Sequence, residues 1–414
     1  MSKRSTLARS RASATRIALA AVLALGGLSA ARAADPAPVE PKAVADFRVV
    51  HAFAGDDGGT PYTALVRGAD GAMVGTTWNF GPSMGGTVFR LDATGQLTTL
   101  AALGYSDSAG PTGPVLLAPD GNLYGVGDSG SPALKGNLFR VAPDGSVQYL
   151  HSFPANGDVT GSNPSPGLVL GPDGALWGTA TAGGTNGAGV VFRITLAGDY
   201  SVVHNFDGTD GASPRARLSV GADGLFYGTT GGGGSAGFGT VFSMDLQGHV
   251  KTLHSFAGAP TDGAVPLGPV THGQDGRMYG TTVRGGANDQ GTVWRIGVHE
   301  RHERVLHSFA ADGVDGNNPW SGVVQASNGR FYGTTATGGP LPSVCNGGAG
   351  CGTIYEITAD GRYHVVHQFD TGPGGQYPLE SLVEAADGRL YGATYGDPNL
   401  PTNRLGAIFS IRQR

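Results

Sequence analysis

From about residue 46 to the C-terminus, apolar and polar positions alternate in short runs separated by glycine-rich breaks. A period of two is the mark of strands with one buried face, and no segment beyond the N-terminus sustains a helical period. One run recurs. Asp223-Gly224-Leu225-Phe226-Tyr227-Gly228-Thr229-Thr230 has counterparts that begin at Asp70, Asp120, Asp173, Asp275, Asn328 and Asp387. Recurrence of one unit along most of a chain signals a repeat architecture.

The fourth unit shows the grammar of all. Pro214 opens a run that ends in Leu218-Ser219-Val220, and Asp223-Gly224 turns it into the strand Leu225 to Thr230. Gly231 to Gly237 then leads to a third strand, Gly239 to Met244, and Gln247-Gly248 turns into a fourth, Val250 to Phe256. Asp-Gly between apolar runs predicts a two-residue hairpin turn with both central residues at positive φ. The fourth strands are marked by His51, Ala101, His151, His204, His254, His307 and His367, spaced by 50, 50, 53, 50, 53 and 60 residues. Four-stranded meanders at that period predict an all-β fold, a seven-bladed β-propeller of antiparallel blades. The domain starts on a fourth-strand signal, Phe47 to Phe53, and ends on a third-strand signal, Gly406 to Ile411. The N-terminal strand is therefore expected to complete the last blade and close the ring, removing two sheet edges.

The segments Phe226-Tyr227-Gly228-Thr229-Thr230, Gly239-Thr240-Val241-Phe242 and Leu253-His254-Ser255-Phe256 resemble the GloVer tandem repeat of bacterial secreted proteins. The resemblance extends over nearly the whole chain after the leader and implies fold and an extracytoplasmic location, but no activity. The second repeat departs most, with Tyr124-Gly125-Val126-Gly127 and Leu100-Ala101-Ala102 lacking the threonines and the histidine.

Residues 1–33 read as a secretory signal peptide: Lys3, Arg4, Arg9, Arg11 and Arg16 precede the apolar run Ile17 to Leu28, and Ala31-Arg32-Ala33 suits cleavage. The run is too short to span a membrane. Residues 34–45, with Pro36, Pro38 and Pro41, read as a disordered linker, and residues 46–414 as one propeller domain. The expected location is secreted or periplasmic. Six of the 27 Lys/Arg fall in the leader and no Asp/Glu does, which leaves 21 basic against 32 acidic residues, a net charge of −11. Such a chain should repel nucleic acid and anionic membranes. A monomer is expected.

Most repeated residues read as structural. The tyrosine of Phe226-Tyr227-Gly228 and its equivalents Trp177, Tyr279, Tyr332 and Tyr391 should pack between blades, and the following glycine should admit a neighbouring ring. The six histidines lie among apolar neighbours and on different blades, so a hydrogen bond to a threonine hydroxyl is expected rather than a metal. His299 and His302 read as a solvated turn. Cys345 and Cys351, the only cysteines, should form a disulfide in an oxidising compartment. Loops such as Asp207 to Gly211 and Asp312 to Asn317 bring oxygens together as calcium ligands do, yet turn-forming aspartates account for them, and no cofactor is expected.

Function is expected where the repeats disagree. The second-to-third and fourth-to-first connections share one face of the disc and are long and variable, which makes that face the site for binding loops. Residues just after Pro61, Pro111, Pro164, Pro214, Pro266, Pro319 and Pro378 should rim the central channel. Tyr62, Arg215, Arg217, Trp320 and Glu380 are the candidate ligand-binding residues, able to hold a sugar or small organic molecule by stacking and hydrogen bonds. No P-loop or His-Glu-x-x-His is present. The expected function is a binding or interaction module for an envelope glycan or protein. The alternative is a lyase or hydrolase acting on extracellular saccharides.

Overall fold

The computed structural model describes residues 46–104, 110–127, 134–154, 158–297, 303–310, 312–339, 345, 349–396 and 405–413. The leader, the linker, His299 and His302 lie outside them. The described residues form a seven-bladed β-propeller without helices, so no helix among them is long and apolar enough to cross a membrane. Blade 4 is typical, with strands Ser219–Val220, Phe226–Thr230, Thr240–Met244 and Val250–Ser255 in sequence order. In blade 7 the order is Val383–Glu384, Arg389–Thr394, Ala407–Arg412 and then Arg48–Ala52 from the N-terminus. That last pairing is antiparallel, with Arg48 opposite Ser410 and Ala52 opposite Ala407, and it closes the ring as expected.

The hairpin differs from the expectation. Gly221 and Leu225 close a three-residue loop, Gly224 N–H bonds back to Gly221 C=O, and only Gly224 has positive φ, at 77°. This is a type I turn followed by a left-handed glycine. The aspartate stays at negative φ because its carboxylate is engaged: it accepts from Leu225 N–H at 3.1 Å and from the Tyr227 hydroxyl at 2.6 Å. The repeated Asp thus ties the turn to the ring that packs between blades. Trp177 meets Phe226 of blade 4 at 4.4 Å between centroids, and Tyr279 stacks on Phe331 of blade 6 at 3.9 Å. A Cβ on Gly228 would lie 2.6 Å from Phe242 Cζ, so the ring admitted there belongs to the third strand of the same blade.

The threonines fasten blade to blade. Thr229 Oγ1 donates to Gly268 C=O of blade 5 and Thr281 Oγ1 to Ser321 C=O of blade 6. Blade 2 has Val126 in this place, so its departure from the repeat removes a bond and not only a residue type. Four of the six histidines, His51, His204, His254 and His307, bond to aspartates, not to threonines. His51, His204 and His307 hold Asp57, Asp210 and Asp315 at 2.7, 2.7 and 2.8 Å. A carboxylate wins because it also accepts the N–H groups at the end of the outer strand, as Asp210 does from Asp207 and Asp315 from Ala310. Asp207 Oδ1 likewise accepts from the Thr209 and Asp210 N–H groups, the bonding of a turn-forming aspartate. Cys345 and Cys351 form a buried disulfide.

Candidate functional site

Each of the seven prolines leans on the preceding blade. At Gly239 (φ 100°) a Cβ would lie 2.7 Å from Pro266 Cδ, and the same approach joins Gly406 to Pro61 across the closing seam at 2.6 Å. The residue before each proline is driven into the left-handed region: Thr60, Gly110, Asn163, Ser213, Val265, Asn318 and Tyr377 have φ between 37° and 59°. That conformation is uncommon for non-glycine residues and an outlier for a β-branched one such as Val265. Two hydrogen bonds hold it. Tyr377 N–H donates to Cys351 C=O of the preceding blade at 3.1 Å, and Tyr377 C=O accepts from Tyr395 N–H of its own blade at 3.2 Å. Asn318 is held in the same way by Gln290 and Ala336. Backbone strain held by surrounding structure in this way fixes the outgoing side chains around a rim.

Around that rim are two adjoining cavities of about 670 and 310 Å³, which share Tyr62, Thr112, Trp320 and Leu379. All seven residues that follow the prolines, one per blade, line the smaller cavity. The larger is walled by Tyr62, Trp78, Trp320, Tyr377 and Tyr395. Both open on the face of long connections. Tyr62 meets Tyr395 edge to face, 6.2 Å between centroids at 84°. Trp78 has room for its indole because the left-handed position of blade 2 is Gly110, where a Cβ would strike the indole ring. Trp320, in the segment between Pro319 and the inner strand of its blade, remains 41% exposed, an unusual state for a tryptophan.

Of the five sequence candidates, Tyr62, Arg215, Trp320 and Glu380 share the smaller cavity. Arg217 does not line it; lying deeper along the inner strand, it sets its Cδ against the backbone at Gly167 and acts on Glu380 through its charge. Burial pushes the Glu380 carboxyl up to about 7, with Arg217 pulling the other way, and burial also lowers the Arg217 guanidinium. Tyr62 is pushed up to about 12 by burial and then by the charge of Glu380. Trp78, Tyr377 and Tyr395 escaped the sequence reading. Their signal was present: they occupy the position before the proline or after the second strand, where the seven units share no residue type. What the arrangement offers is flat aromatic surface with a cation and a carboxyl close to its protonation midpoint, a combination suited to polar rings.

No curated protein matches the sequence. Among solved structures the chain is similar to a streptogramin B lyase (TM-score 0.58, 14% identity, over 89% of this chain and 97% of that one). It is similar to virginiamycin B lyase from Staphylococcus aureus (0.57, 14%, 89% and 100%). It also resembles the extracellular domain of a B. thetaiotaomicron chain described as a hybrid two component system (0.59, 10%, 89% and 40%). At these identities the likeness is one of fold. The sequence itself matches a repeat family over residues 39–165, 114–344 and 220–414, and the chain belongs to that Gloeobacter/Verrucomicrobia repeat family.

Proposed function

We propose that this protein is an extracytoplasmic binding module that takes a glycan segment into the aromatic cavity on its long-loop face. The observation that carries the reading is the convergence of Tyr62, Trp78, Trp320, Tyr377 and Tyr395 on one cavity, beside Arg215 and Glu380. Stacking on aromatic faces suits sugar rings, and the two polar groups supply direction. Export is supported by the signal-like leader and by the Cys345–Cys351 disulfide, which suits an oxidising compartment. The net charge of the exported chain speaks against nucleic acid as the partner.

The second reading is a saccharide lyase or hydrolase at the same mouth. It is favoured by one observation: Glu380, pushed up to about 7, is poised to exchange a proton at neutral pH. Propellers of similar fold include both lyases and the extracellular domain of a two component system, so fold supports either. A panel of acidic and neutral polysaccharides, assayed for retention of the protein and for release of unsaturated or reducing ends, separates the readings. Retention without product supports the binding module; product that disappears in Glu380→Gln replaces it with the enzyme.

A further inference from the structure

Between neighbouring blades, the residue four positions before the outer-strand histidine reaches back to the histidine of the preceding blade. Tyr200 stacks on His151 at 3.8 Å, Tyr363 on His307 at 3.7 Å and Phe47 on His367 at 3.8 Å between centroids. Leu97, Val147 and Val250 fill the position in three other blades. The remaining one, in blade 5, holds Glu303, a carboxyl where all the others are apolar or aromatic.

Glu303 arrives beside an existing His–Asp pair. One ligand atom each from His254, Asp262 and Glu303 lies within 4.8 Å of the other two. Asp262 is only 9% exposed, and Glu303 Oε1 is buried without a hydrogen-bond partner. The His254–Asp262 separation, 3.1 Å, exceeds the 2.7 to 2.8 Å of the pairs at His51, His204 and His307. Two carboxyls in one dry seam repel when both are ionised, and burial together with Asp262 pushes Glu303 up to about 8.

We propose that His254, Asp262 and Glu303 form a site for one divalent transition-metal ion, Zn²⁺ being the cation these donors suit, with a fourth position left to water. Zinc takes imidazole nitrogen and carboxylate oxygen at about 2.0–2.2 Å, so the ion would draw the three donor atoms closer together. Its two positive charges cancel the two carboxylates exactly where apolar packing has been given up. Binding displaces the Glu303 proton to solvent and moves the His254 ring proton from Nε2, where it faces Asp262, to Nδ1, which frees the Nε2 lone pair for the metal. The donors come from the outer strand and following loop of blade 4 and from blade 5, so the ion would staple two blades. This site is separate from the channel mouth and does not depend on the reading given to it.

Equilibrium dialysis of the metal-stripped protein against Zn²⁺, with cobalt substitution read by visible absorption, tests the site. The expected result is one ion per chain, tetrahedral Co²⁺ bands and a raised melting temperature with metal. Glu303→Tyr places in blade 5 the residue that blade 6 already uses, and Glu303→Gln keeps the shape; both should remain folded and lose at least about 100-fold in affinity. Three results would each overturn the proposal: no stoichiometric binding by the unaltered protein, purely octahedral cobalt, or undiminished affinity in both variants.

Discussion

Arg389 Nη1 donates to the Asp46 carboxylate at 2.9 Å and joins the last blade to the start of the N-terminal strand, 343 positions away. The same guanidinium donates from Nη2 to Asp46 C=O and from Nε to the Ser410 hydroxyl, and Arg389 is buried. Asp46→Ala would leave that buried cation short of its counter-charge and should lower the melting temperature. Deleting residues 47–53 removes the whole closing strand and should abolish cooperative unfolding. Calorimetry checks both; a truncated protein that still melts in a single transition near the intact temperature would refute closure.

Acid should open the same seam. Burial holds His367 down to about 4, under the Phe47 ring that stacks on it. A histidine with a depressed folded pKa stabilises fully above its ordinary value and loses that contribution as pH falls through the folded one. Asp46, lowered by its bonds to Arg48 and Arg389, loses its share at more acid pH still. The melting temperature should therefore fall between about pH 6.5 and 4, and His367→Phe should flatten that slope. An unchanged slope in the variant assigns the acid sensitivity elsewhere.

At the channel mouth the sign reverses. Glu380 carries a raised pKa, so its contribution is intact below the ordinary carboxyl value and is lost as pH rises through about 7. Glu380→Gln should remove a stability loss between about pH 4.5 and 7 that the unaltered protein shows. Melting curves across that range decide it. Arg217 attracts the charged form, so Arg217→Met should enlarge the loss and extend it to higher pH.

Reducing the disulfide should be a modest insult. Cys345 and Cys351 close a seven-residue loop, and Cys345→Ser with Cys351→Ser should cost about 2 kcal/mol. The denatured, unreduced protein should show no titratable thiol; two equivalents would contradict the bridge.

Much of this was readable along the chain, because a repeat states its packing seven times. The Asp-Gly turn, the interblade tyrosine and the closing strand are local patterns, and so are the prolines that bring Tyr62, Arg215 and Trp320 to one rim. The rest depends on neighbours that are distant in sequence. Tyr377 and Val265 adopt left-handed backbone because the preceding blade supplies a carbonyl to each, which their own side chains would argue against. Four of the histidines find their partner in the loop beyond the strand, where an aspartate such as Asp210 reads simply as a turn former. Arg217 was placed at the mouth by counting along an extended strand, while the structure turns it toward blade 3.

The central claim is that the aromatic cavity, and not the exposed surface of the long loops around it, binds the ligand. Its most direct test is the affinity of the protein for the retained polysaccharide, compared in Trp320→Ala, Trp78→Ala and Phe238→Ala. Phe238 is as exposed as Trp320, 43% against 41%, but lies outside the cavity. Loss of about 10- to 100-fold in both tryptophan variants, with Phe238→Ala unchanged, is the predicted result. Equal affinity in all three, or a loss confined to Phe238→Ala, would contradict it.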